Sequence, residues 1–539
     1  MVKKAILFCD NNDGILELAQ FLYKSGWEIY SNGETAEILK ENNISYLIEH
    51  ALDSKPRNIS ESTALIQKIL RTKISVSDQP FENPDDENNV FLVCVNFDPL
   101  TSGFETIPKL GRGSPALTSY TSTMIRNCCT NFQNVLILTD PIDYNETLIE
   151  LRTDDVQQSF RMYLAGKALN MVSAFDSANA FAILQNNPFA INQNINYLSM
   201  PYKKKMELHH GANSNQKAVV YQYGSDGGSL SGFKKIQGRE LTHKIVADTS
   251  FAWDQVCSLY DNLKTLSAVK SENCDGYAYT TQFTPLTGTV YTVMVKYRLV
   301  VGAGLDTNVV NSFQKTLSYD LDCTIHATLA CSAVIDGTAA REMVKYEFSA
   351  IVAPGFTEEA KTILAENRGI RLITANRPSS SNISVLILDG GCVLQNKYKQ
   401  LFDKWIVPTK ARPDQKLCDE MAFGMCIAKH AYSYANVCIK DNAVVGISSC
   451  QSSRFKSLGS VAFETKQTFK LHPTEDGVIA DVLVCDSSIE LCEPVKELID
   501  LGVKAIIQTG GLPNDQEFID YCDAHNVAMI FTGVTHTNY

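Results

Sequence analysis

The chain has 539 residues, 45% of them apolar and 20% charged, with a formal net charge of −12. Such a composition excludes disorder over most of the length, which needs fewer apolar residues and more net charge. The acidic balance excludes a general nucleic-acid binder, which needs a basic face. No stretch reaches the roughly 18 uninterrupted apolar residues of a membrane span, so no membrane partner is expected. Met1–Asp10 turns polar too soon for a signal peptide. The cysteines are scattered, and several stand in apolar runs (Cys94, Cys438, Cys485). They read as reduced, buried, small hydrophobes of a cytoplasmic protein.

The first sixty residues alternate strand and helix signals. Lys4–Cys9 is a short apolar run, followed by apolar residues at helical spacing from Ile15 to Leu22 and a closing Gly26. Trp27–Tyr30 reads as a second strand, and Ser31–Ala36 as its turn into another helix. Phe91–Asn96 and Asn134–Thr139 are further buried-strand runs, and residues 77–90 read as an exposed acidic loop. This alternation predicts a parallel sheet covered on both faces. A polar break from Asn186 to Lys205, with a lysine cluster at 203–205, predicts a domain boundary. Beyond it, strand-like runs are expected at Leu259–Lys270, Val290–Leu299, Ser384–Leu388, Val437–Ile439, Val482–Val484 and Ala505–Gln508. Helices are expected at Glu358–Glu366, Asp419–His430 and Gln516–Asn526. Two sheet layers, and so two subdomains, fit in this half.

Generic chemical signatures are scarce. There is no phosphate-binding loop of the Walker type, no dinucleotide fingerprint, no cysteine pairing at zinc spacing and no helical histidine pair at i, i+4. Cys128-Cys129 belong on a helix, and no metal is expected. Small-residue turns after strands are the better leads. Gly390-Gly391 and Gly510-Gly511 follow apolar runs, where exposed backbone N–H groups can cradle an anion. The plainer reading of each is a tight turn that needs positive φ.

Several collinear segments carry a family resemblance. They are Gly211-Ala212-Asn213-Ser214-Asn215-Gln216, Gln237–Leu241, Ile351–Gly355, Gln451-Ser452-Ser453-Arg454, Gly502–Gly511 and Ala528–Gly533, with Met124-Ile125-Arg126 and Asp140–Tyr144 in the first part. With them the chain resembles, over nearly its full length, the bifunctional purine-biosynthesis family that joins IMP cyclohydrolase to AICAR transformylase. The resemblance implies an α/β fold: a methylglyoxal-synthase-like parallel-sheet domain over residues 1–198, then two cytidine-deaminase-like subdomains over 199–380 and 381–539. It implies closure of formyl-AICAR to IMP by the first domain. It further implies formyl transfer from 10-formyltetrahydrofolate to AICAR by the rest, in a homodimer whose transformylase sites lie at the subunit interface, without zinc.

The positions that carry this chemistry in the family differ here. Lys270 is retained, but Ser271 stands at the family histidine, the proton shuttle, and a serine has no pKa near 7. Tyr434 stands at the family asparagine, and His209-His210 at the arginine–tyrosine pair that grips the nucleotide. Neutral histidine lacks arginine's bidentate fork. In the first domain, Phe8, Asp10 and Asn12 replace the serines and lysine of a phosphate loop. Glu34 replaces a glycine and would repel a phosphate. Asp98, Thr130 and Met171-Val172 replace further family groups, and Pro56–Lys73 reads as an unrelated helix. Losses at functional positions beside retained glycines, prolines and apolar runs predict a kept fold with abandoned chemistry, a dimeric binding or regulatory protein. The alternative is an active family enzyme with rewired residues, in which Lys270 acts as base and His209 or His210 takes the missing proton-transfer role. His209, His210, Gly211, Asn213, Gln216, Gln451, Ser453, Arg454, Gly510 and Gly511 are the candidate pocket for a purine nucleotide or folate ligand.

Overall fold

In the computed structural model the described residues are 3–48, 90–97, 120–153, 156–185, 196–223, 228–284, 288–318, 322–378 and 383–538. They fall into two compact units, one reaching to Lys203 and the other beginning at Lys204, with Gln222 and Tyr223 going to the first. Three sequence expectations lie outside the described residues: the acidic loop before Val90, the helix at Pro56–Lys73, and Asp98.

The first unit is built from β1 (Lys4–Cys9), α1 (Ile15–Lys24), β2 (Glu28–Ser31), α2 (Gly33–Glu41), β3 (Leu47–Ile48), β4 (Val90–Asn96), α3 (Tyr120–Thr130), β5 (Leu136–Leu138), α4 (Tyr144–Arg152) and α5 (Gln158–Gln185). Its sheet runs β3-β2-β1-β4-β5, and every pairing is parallel. Alternate residues of β1 go to opposite faces. Ala5, Leu7 and Cys9 join α1 and α4 on one side, and Ile6 joins α3 and α5 on the other. That two-sided burial is why the strand reads as one apolar run. The expected helix under Cys128 and Cys129 is α3, and both thiols are buried. The chain leaves β1 toward β2 on one side and resumes at β4 on the other. The carboxyl ends of β1 and β4 are therefore the point where strand order reverses, the usual ligand crevice of such sheets.

The second unit begins on the pair β6 (Tyr202–Leu208) and β7 (Ala218–Tyr223) and continues with β8 (Lys234–Gln237), α6 (His243–Thr265), β9 (Ala268–Asn273), β10 (Ala278–Gln282), β11 (Val290–Lys296), β12 (Leu299–Asp306), α7 (Val309–Thr316), β13 (Thr328–Cys331), α8 (Gly337–Met343), β14 (Ala350–Ala353), α9 (Glu358–Leu364) and β15 (Arg371–Thr374). After the hairpin β16 (Ile383–Leu388) and β17 (Gly391–Asn396) come β18 (Trp405–Val407), α10 (Gln415–His430), β19 (Asn436–Lys440), β20 (Ala443–Ser448), α11 (Arg454–Leu471), β21 (Val482–Cys485), α12 (Glu493–Asp500), β22 (Ala505–Gln508), α13 (Asp515–Ala524) and β23 (Ala528–Phe531).

One sheet of fourteen strands organises this unit, in the order β10-β9-β18-β23-β22-β21-β19-β20-β12-β11-β13-β14-β15-β8. This corrects the expectation of two sheet layers. The sheet contains the same six-strand arrangement twice. β8, β11, β12, β13, β14 and β15 occupy the places that β18, β19, β20, β21, β22 and β23 occupy in the second copy, with the same parallel and antiparallel pairings. The copies meet antiparallel at β12 and β20. α6 and α10, the first helix of each copy, share one core with alternate residues of both sheet halves, such as Val352 and Ile507. The remaining helices cover the other face in two separate clusters.

Two further strand expectations are corrected. Leu259–Lys270 is the end of α6 followed by β9, because Ile245, Thr249, Ala252, Val256, Leu259 and Leu263 bury one helical face. Val290–Leu299 is two strands, turned at Tyr297 and Arg298, both with positive φ. No disulfide links any of the cysteines. No helix among the described residues is long and apolar enough to cross a membrane.

Candidate functional site

At the carboxyl ends of β1 and β4 the protein's own polar groups bond one another. Asn11 N donates to Asn96 Oδ1 at 2.8 Å, and Asn96 Nδ2 donates back to Asn11 O at 2.9 Å. Cys9 N donates to Thr35 Oγ1 at 3.0 Å, and that hydroxyl donates to Asn12 Oδ1 at 2.9 Å. Asp10 directly follows β1, and its carboxyl is raised by desolvation and then by the charge of Glu34 on the first turn of α2. A carboxyl already disfavoured by a neighbouring negative charge makes a poor seat for a phosphate. Thr130 ends α3, where its hydroxyl donates to Asn127 O at 2.9 Å. Met171 and Val172 lie on α5, half-buried and buried. Arg126 is ion-paired with Asp176, and Lys167 with Asp140 at 2.8 Å and Asp143 at 2.7 Å.

In the second unit Lys270 and Ser271 lie on β9, whose partner is β10 on one side and β18 on the other. Alternation along the strand exposes Lys270 and buries Ser271. The Ser271 hydroxyl is 2.7 Å from Thr281 Oγ1 and donates to Val269 O at 3.2 Å. Beyond it, Asn273 Oδ1 accepts from Tyr277 N at 2.8 Å and Asp275 N at 3.2 Å, stapling the turn at Cys274–Gly276.

Tyr434 lies between α10 and β19. The Arg454 guanidinium stands over its ring at 5.3 Å, and Ser457 Oγ donates to its carbonyl at 2.9 Å. Ser453 caps α11, its hydroxyl accepting from Lys456 N. Gln451 is half-buried just before. The fully buried Asp486, at the end of β21, holds this turn: its Oδ2 accepts from Ser433 Oγ and from Ala435 N, each at 2.9 Å. Burial raises the Asp486 carboxyl. Sequence reasoning missed Asp486 and Ser433. The available signal was an acid placed directly after the apolar run Val482–Cys485, at a strand's carboxyl end.

His209 and His210 sit at the other end of the sheet, where His209 N donates to Leu241 O at 2.9 Å and His243 N to His210 O at 3.2 Å. His209 Nδ1 is 2.6 Å from Glu240 Oε2, a partner the sequence reading did not assign. His210 Nδ1 lies 2.8 Å from Gly211 O. Gln216 folds back over this loop, taking Asn213 N on its amide oxygen at 2.9 Å. A Cβ on Gly211 would meet Gln216 Cβ at 2.8 Å, so the loop needs glycine there.

Gly510 and Gly511 follow β22 with φ of 75° and 92°. Asp515 Oδ2 accepts from Gly511 N at 2.7 Å and from Leu512 N at 2.9 Å, so an internal carboxylate already takes the donors that would cradle an anion. Gly390 and Gly391 form the tight turn between β16 and β17.

The candidates therefore stand in separate places. β9 and β19 have four strands between them. At about 4.8 Å per strand spacing, β9, which carries Lys270, and β19, which follows Tyr434, are roughly 24 Å apart across the sheet. Tyr434 and Arg454 do come together, with Ser453 capping the helix that Arg454 begins.

These features define an α/β protein of two parts, a switch-point parallel sheet and a duplicated mixed sheet. The sequence profile of the AICARFT/IMPCHase bienzyme matches residues 128–464. The chain is 30% identical to the bifunctional purine biosynthesis protein PurH of Clostridium acetobutylicum, covering 99% of each chain. It is 28% identical to the proteins of the same name from Brachyspira hyodysenteriae and Fusobacterium nucleatum, again over 99% of each. The chain belongs to the AICARFT/IMPCHase bienzyme family.

Proposed function

We propose that the chain keeps the family fold without the family's two reactions in their usual form, and serves as a homodimeric binding or regulatory protein. The observation that carries this reading is Ser271. At the place where the family resemblance puts a proton-transferring histidine, the side chain is a buried hydroxyl committed to Thr281. The first unit supports it, since Asp10, directly after β1, and Glu34, on the first turn of α2, are close enough for the Glu34 charge to raise the Asp10 carboxyl, and two acids there disfavour a phosphate. The dimer has two supports. β16 and β17 form a hairpin outside the main sheet that exposes Ile383, Leu386, Ile387, Leu388, Val393 and Leu394. Exposed apolar surface on both faces of a ribbon fits a second chain. The separation of Lys270 from Tyr434 also fits a site completed across two chains.

The His209–Glu240 pair favours a second reading. A carboxylate that orients an imidazole through Nδ1 leaves Nε2 available for proton transfer. On this reading the protein moves a formyl group from 10-formyltetrahydrofolate to AICAR with His209 in the lost role and Lys270 beside the amine. Either reading leaves a purine nucleotide or folate as the ligand.

The deciding experiment is formyl transfer with micromolar full-length protein, followed by absorbance of the folate product. Flat traces from folded dimer support the first reading. Turnover that His209→Ala abolishes overturns it in favour of the second.

A further inference from the structure

Three carboxylates converge in the second unit, where α10, the β19–β20 turn and the start of β21 meet. Glu420 lies in the second turn of α10, Asp441 at the tip between β19 and β20, and Asp481 directly before β21. One oxygen of each lies within 4.8 Å of the others. Asp481 is 1% exposed and Glu420 fully buried. Neither Glu420 oxygen has a hydrogen-bond partner, although a buried carboxylate left without one costs several kcal/mol.

A cation already sits at the centre. Lys416 Nζ is 2.7 Å from Asp441, 3.0 Å from Asp481 and 3.7 Å from Glu420. Lys504 Nζ holds the outer oxygen of Asp481 at 2.7 Å. Two ammonium groups against three carboxylates leave one negative charge over when all three are ionised, and burial, with the charge of Asp481 next, pushes the Glu420 carboxyl up to about 7. The Lys416 side chain is 51% exposed, so its flexible stem can carry the ammonium out to solvent. A divalent ion in its place would bring the fully ionised cluster to neutrality and give the Glu420 oxygens a closer partner than the ammonium 3.7 Å away. The backbone is fixed for this: Asp481 N donates to Ile439 O, Lys504 N to Asp481 O, and Leu305 N to Asn442 O.

We propose that Glu420, Asp441 and Asp481 form a site for a hard divalent cation, closed by Lys416 when the ion is absent. An all-oxygen set of this kind suits calcium, magnesium or manganese and not zinc. The sequence reading expected no metal because it searched for histidine and cysteine spacings, which such a site does not have. The ion would tie the starts of α10 and β21. Their far ends lead to Tyr434 and to Asp486, which holds the Tyr434 turn, so the ion would stiffen both supports of that turn.

The test uses the full-length chain with manganese alone, counting free and bound ion by electron paramagnetic resonance and confirming with calcium by calorimetry. One ion per chain is expected, with a dissociation constant below about 1 mM, the weak end of protein calcium sites. Asp441→Asn should weaken it at least tenfold. Asp441 has φ of 51°, which asparagine adopts readily, so the variant keeps the turn. Lys416→Met, which removes the competing charge and keeps the stem, should tighten it at least tenfold. No binding to the unaltered chain at millimolar manganese overturns the proposal and leaves a self-neutralised ion cluster. Binding undiminished in Asp441→Asn overturns it as well.

Discussion

The Ser271 hydroxyl lies 2.7 Å from the Thr281 hydroxyl, across the hairpin that carries Lys270. Both side chains are buried, and Thr281 N also donates to Ser271 Oγ at 3.3 Å. A hydroxyl engaged on several sides supports the strand pair and has little freedom to meet a ligand. Ser271→Ala should therefore leave any formyl transfer unchanged. It should cost about 1 kcal/mol of stability, the net worth of an ordinary hydrogen bond. Thermal unfolding and the folate absorbance assay on one preparation check both halves of the expectation.

The hairpin β16–β17 gives the second prediction. Ile387 is 77% exposed, and Leu386 and Leu388 stand on the opposite face of the same strand. Charges on both faces should repel a covering chain without touching the main core. The double variant Ile387→Asp, Leu388→Lys is expected to shift the protein from dimer to monomer in light scattering. Its far-ultraviolet circular dichroism should be unchanged.

Gly510 carries a third. Its φ of 75° lies in the left-handed region, and a Cβ there would press into the Phe531 ring. The conformation alone costs a non-glycine residue about 1–2 kcal/mol, and the overpacking a similar amount. Gly510→Ala should lower stability by about 2–4 kcal/mol in denaturant titration. Gly511→Ala meets nothing within 4 Å and should cost only the conformational part.

The sequence was legible where one physical signal dominated. β1, α1, β4 and β22 follow from apolar runs and helical spacing bounded by polar turns. The end of α6 reads as strand only when Leu259–Lys270 is taken apart from the helical face that begins at Ile245, since Leu259 and Leu263 continue the spacing of Thr249, Ala252 and Val256. The duplicated six-strand arrangement is not a short-period repeat, and its sheet order is set by pairings distant in the chain. Of the candidate site, Ser271 and Tyr434 could be singled out only by the family resemblance, as the residues standing at its histidine and asparagine. Their partners Thr281, Asp486 and Glu240 could not, because each is brought in by tertiary contact.

His536 makes stability depend on acid in a direction that can be worked out. It is 5% exposed, and burial pushes its imidazole down to about 4, with Lys429 lowering it further and the bond to Leu401 O opposing. The unfolded chain, with an ordinary value near 6.5, takes the proton first as pH falls. The stabilising contribution is present above about 6.5 and is lost as pH drops toward 4, a loss of roughly 3 kcal/mol. His430, also pushed down to about 4 by burial and then by Lys429, His536 and Lys397, adds a loss of the same sign. His536→Gln retains a donor for Leu401 O but cannot charge. Its unfolding free energy between pH 7 and 4.5 should fall less steeply than that of the unaltered protein. Equal slopes in urea titrations across that range would show that the imidazole is reached by water and titrates normally.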